Sequence, residues 1–98
     1  MNLYEKLNSY VKNKAVLKHV TYTVESVSSD FYPSGIPKMY RNGNKWVCIK
    51  SFDDMRGPLG VSEYLSEEEA LQSLAIALDH CVEHLSDFYY YHPEWKKQ

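Results

Sequence analysis

The chain has 98 residues, 44% of them hydrophobic and 24% charged, with a formal net charge of −2. That is the composition of a folded domain with room for one core, and it excludes a two-lobed enzyme. No apolar run is long enough to span a bilayer and no apolar leader opens the chain, so residues 1–98 read as a single cytoplasmic domain without a membrane role.

The small net charge hides an asymmetry. Residues 1–50 carry eight Lys/Arg against three Asp/Glu, and residues 51–98 carry three against ten. Unless the fold mixes the halves, one face is basic and another acidic, and each suits a partner of opposite sign. Nine tyrosines are many for this length, and tyrosine is over-used at interfaces because it covers much area at little entropic cost. Cys48 and Cys81 sit in no metal-ligand spacing and read as two reduced, mostly buried thiols.

Leu3, Leu7, Tyr10 and Val11 recur at helical spacing with Glu5, Asn8 and Lys12 opposite, which predicts an amphipathic helix over residues 2–13. Residues 16–27 alternate with period two and are rich in β-branched side chains, so they predict a first strand whose apolar face is Val16, Val20, Tyr22 and Val24. Two prolines and a glycine then make 30–37 a loop.

Asn42-Gly43 between runs of strand formers predicts a two-residue hairpin turn. In that register Arg41 faces Asn44, Tyr40 faces Lys45 and Met39 faces Trp46. Met39, Trp46, Cys48 and Phe52 then share the core face, and Val47 and Ile49 the other. Asp53–Gly60 reads as a turn-rich connection to a short strand at Val61–Leu65. Ser66 and Glu69 have capping-box spacing, with Leu65 and Ala70 placed as a hydrophobic staple. Leu71, Leu74, Ala75, Leu78, Val82 and Leu85 continue as an unbroken stripe, so this helix is expected to run to about residue 86. An aromatic tail, Phe88-Tyr-Tyr-Tyr-His-Pro-Glu-Trp95, occupies residues 88–98. The predicted architecture is α+β: α-β-β-β-α with a short extra strand allowed, one antiparallel sheet covered on one face by both helices.

Few residues suggest catalysis or metal binding. His80 and His84 are one helical turn apart with Asp87 nearby, yet no glutamate follows the first histidine as a zinc hydrolase requires, and a third ligand would have to be imported. Asp53 and Asp54 beside Arg56 lie in a Gly/Pro-rich turn, where carboxylates cap backbone donors. Gly57-Pro-Leu-Gly60 lacks the lysine and the run of N–H groups of a phosphate loop. No catalytic residue, metal or cofactor is expected.

The helix-strand-strand-strand-helix order resembles the double-stranded-RNA-binding domain. Leu7-Asn-Ser-Tyr10 is similar to that family's Leu-Asn-Glu-Tyr first-helix segment, and Ser66, Ala70 and Ala75 match the register of its second helix. The match covers about residues 3–85 and implies the scaffold only. The family's first-helix Glu is Ser9, its Gly-Pro-x-His loop is missing from 30–37, and Glu67, Glu68 and Leu71 stand where its lysines meet phosphate, which opposes RNA binding. Trp46, Leu59-Gly60 and Ser66–Ala70 also resemble the strand and helix start of AP2-like DNA-binding domains, which read DNA from the sheet.

Two functional expectations follow. The leading one is a non-enzymatic protein-binding module or inhibitor, engaging a basic surface of another protein, such as a nucleic-acid enzyme, through Asp53, Asp54, Glu63, Glu67, Glu68, Tyr90, Tyr91 and Trp95. By type, small acidic-faced α+β proteins of this kind resemble phage-encoded inhibitors, anti-CRISPR proteins among them, which would place this one in a host cytoplasm. The alternative is nucleic-acid binding through the basic hairpin: Lys38, Arg41, Lys45, Trp46 and Lys50.

Overall fold

The computed structural model describes residues 2–29, 37–53, 56–82 and 90. Their elements run α1 (Leu3–Asn8), a 3-10 helix (Lys14–His19), β1 (Val20–Tyr22), β2 (Ser26–Ser29), β3 (Lys38–Asn42), β4 (Lys45–Asp53), β5 (Gly57–Tyr64) and α2 (Glu67–Val82). The strands form one antiparallel meander in the order β1-β2-β3-β4-β5. The α+β class with one antiparallel sheet and two α-helices stands, with five strands rather than three or four.

Asn2 caps α1 by accepting the Glu5 N–H at 2.8 Å. Leu3 and Leu7 point into the core at i, i+4. The helix stops at Asn8, short of the expected residue 13, because the next segment is held from outside. The Asp79 carboxylate, on α2, accepts the backbone N–H of Lys12 at 3.1 Å and that of Asn13 at 3.1 Å. Lys14 adds to the break, its ammonium donating to the carbonyls of Asn8 and Val11.

The predicted strand over 16–27 is therefore three pieces. The 3-10 helix buries the adjacent Val16 and Leu17 together, which a strand cannot do against a single core, since neighbours on a strand point to opposite faces. Val24, expected on the apolar face, is instead 89% exposed in the link from β1 to β2. This turn contains neither glycine nor proline. The Thr23 N–H donates to the Ser26 carbonyl at 2.8 Å, the two hydroxyls bond each other at 2.8 Å, and Glu25 N–H donates to Thr23 Oγ1 at 3.2 Å.

The next hairpin is where it was expected, with the turn shifted by one residue. Asn42 pairs with Lys45, Arg41 with Trp46 and Met39 with Cys48, leaving Gly43-Asn44 as the loop. Gly43 has φ +65° and no non-glycine residue among those described has positive φ, so the loop follows the type II′ pattern with glycine first. Each cross-strand partner thus moves by two positions, and because side chains alternate with period two the assignment to faces is preserved. Met39, Trp46 and Cys48 join Val27 on the core face. Val47 and Ile49 are on the opposite face and are buried too. Phe52 belongs to β4 by its backbone, and its side chain lies outside the described set.

β5 begins at Gly57, four residues earlier than expected, and pairs with β4 from Asp53↔Gly57 to Trp46↔Tyr64. Pro58 is compatible with this position because β5 is the last strand of the sheet in pairing order. α2 lies across β3, β4 and β5 and also touches α1 and the 3-10 helix. Its inward stripe is Ala70, Leu71, Leu74, Ala75 and Leu78, all buried as expected. Residues 83–89, including Leu85, lie outside the described residues. Ser66 Oγ accepts the Glu69 N–H at 3.4 Å, the expected cap. Leu65 is 75% exposed, so the staple to Ala70 is not made.

Candidate protein-binding surface

α2 starts with Glu67, Glu68 and Glu69 because carboxylates are favoured where the helix presents unpaired N–H groups. The three then diverge. Glu67 Oε1 accepts from Lys6 Nζ at 2.5 Å, a half-exposed bond that joins α1 to α2. This bond to Glu67 holds the Lys6 ammonium above the ordinary lysine range. Glu68 and Glu69 are exposed and have no ion pair among the described residues. Lys6, Ser9, Tyr10, Glu67, Glu68 and Leu71 line a shallow groove of about 240 Å³ between the two helices.

Facing away from the buried stripe, Glu69, Gln72, Ile76 and His80 follow one another at i, i+3, i+7 and i+11 and are all exposed. Ile76 is 60% exposed. An acidic turn that leads into an exposed aliphatic side chain combines long-range attraction with a contact that can be desolvated, and protein interfaces use both. Tyr10, which lines the groove, and the exposed Ile76 were not among the residues expected at this surface. Ile76 could have been found as the apolar residue of α2 that falls off the Leu/Ala stripe.

The other expected carboxylates are elsewhere. Glu63 pairs with Val47 in the ladder, which by alternation puts it on the sheet face opposite the helices, and its Oε1 is 3.7 Å from Lys45 Nζ. Asp53 closes β4 opposite Gly57, with its side chain outside the described set, and Asp54 lies outside the described residues. Tyr90 is 77% exposed, whereas Tyr91 and Trp95 lie outside the described residues. Of the expected carboxylates, Glu67 and Glu68 line the groove between the two helices.

The basic hairpin does not assemble one cationic patch around an exposed ring. Trp46 is only 5% exposed and belongs to the core. Arg41 lies over it, with the guanidinium carbon 5.7 Å from the ring centroid and Nε donating to the Gly43 carbonyl at 3.0 Å. Lys38 and Lys45 alternate to the opposite face, and Lys50 stands beside Gly60.

Cys48 is a buried free thiol whose pKa is pushed up by burial and eased back by a hydrogen bond with Ser73. His80 is exposed on α2, and His84 and Asp87 lie outside the described residues. Among the described residues no three His, Cys, Asp or Glu side chains gather as a metal site, and no helix is long and apolar enough to cross a membrane. Compared with family models, curated proteins and solved structures, the chain matches none.

Proposed function

We propose that this chain is a non-enzymatic protein-binding module of the inhibitor type, which engages a basic surface on a partner protein through the exposed side of α2 from Glu68 to Ile76. The observation that carries this reading is the exposed Glu68 and Glu69 in the first turn, without an ion pair among the described residues, with Ile76 exposed farther along the same helix. The carboxylates steer a cationic partner into place, and Ile76 supplies apolar area to bury once contact is made. Tyr90, highly exposed, extends the reading toward the aromatic tail. A nucleic-acid enzyme, whose cleft is necessarily basic, is the class of partner that fits best, as in phage-encoded inhibitors. The hairpin reading loses support because Trp46 is in the core and its neighbouring cations divide between two faces.

The test is affinity capture with the tagged chain and with a Glu68→Lys/Ile76→Asp variant. These positions avoid Glu67, which is engaged by Lys6, and Glu69, whose N–H is part of the cap. The wild type should retain a basic protein that the variant loses, with both chains melting at similar temperatures. Full capture by the folded variant, or recovery of nucleic acid that survives a high-salt wash, would overturn the proposal.

A further inference from the structure

We draw no further inference here: the strongest candidate, the sheet face opposite the helices, where Val47 and Ile49 are buried beside exposed Tyr40 and Val61, carries nothing because nothing in the structure shows what covers it.

Discussion

Replacing Asp79 by alanine tests the contact that reshapes the first third of the chain. Two opposing effects are separable by sign. Asp79 lies in α2 three residues before Val82, the last described residue of that helix, where a carboxylate opposes the helix dipole and aspartate is a poor helix former. On those grounds alone alanine should stabilise by about 0.5–1 kcal/mol. Against this, the carboxylate accepts backbone N–H groups from Lys12 and Asn13 at 3.1–3.2 Å. Bonds to a charged acceptor contribute about 1.5–3 kcal/mol each when protected, and these are solvent-accessible, so about 1 kcal/mol each is the appropriate scale. The net expectation is a loss of about 1 kcal/mol, or roughly 4–8 °C in Tm for a domain of this size. Asp79→Asn, which keeps one acceptor oxygen, should fall between the two. Thermal and urea melts measure the size, and amide exchange at Lys12 and Asn13 localises the effect. A variant as stable as or more stable than the wild type, with unchanged exchange at those amides, would refute the contact.

Leu74→Ala and Leu78→Ala should each cost about 2–5 kcal/mol in urea melts, since both side chains are fully buried and truncation leaves a cavity between α2 and the sheet. Gly43→Val should lower stability by about 1–3 kcal/mol through backbone strain alone, because the space around a Cβ there is empty; an unchanged melt would move the turn. The Lys6–Glu67 pair has a defined pH signature. Because the folded-state pKa of Lys6 is raised, the pair's contribution is fully present below the unfolded lysine pKa and is lost as pH rises through the folded value. The stability gap between wild type and Lys6→Met should therefore hold through neutral pH and close at strongly alkaline pH, and a gap that opens with rising pH would contradict the bond.

What could be read from the residues follows a physical division. α2 was legible because an amphipathic helix carries its own evidence: Ser66 caps it, and Leu71, Leu74 and Leu78 repeat at its period. The β3–β4 hairpin was legible to within one residue because only glycine supplies positive φ cheaply, although Asn42-Gly43 and Gly43-Asn44 are hard to tell apart without the ladder. The β1–β2 hairpin was hidden, since its turn is made by the hydroxyls of Thr23 and Ser26 between β-branched neighbours. The end of α1 was hidden for another reason: the group that sets it, Asp79, is 67 residues away from Lys12. At the surface, the acidic turn was visible as composition, but the exposure of Ile76 and the burial of Trp46 depend on which face α2 and β4 present, and β4 is apolar on both.

The meander with α2 at its end has a consequence for the order in which the protein can acquire structure. Each strand pairs with its neighbour in sequence, so the sheet can grow hairpin by hairpin as it leaves the ribosome. The core face of β3, β4 and β5, however, finds its helical cover only when α2 has emerged. The bonds that then close the molecule, Lys6 to Glu67 and Lys12 to Asp79, span 61 and 67 residues. Closing a loop of that length costs on the order of 3–4 kcal/mol in chain entropy beyond a constant, and α2 must supply it through the leucines it buries. A nascent chain halted before Glu67 would leave Met39, Trp46 and Cys48 without the leucines of α2 that pack beside them, and synthesis of that helix turns a transiently exposed apolar surface into core.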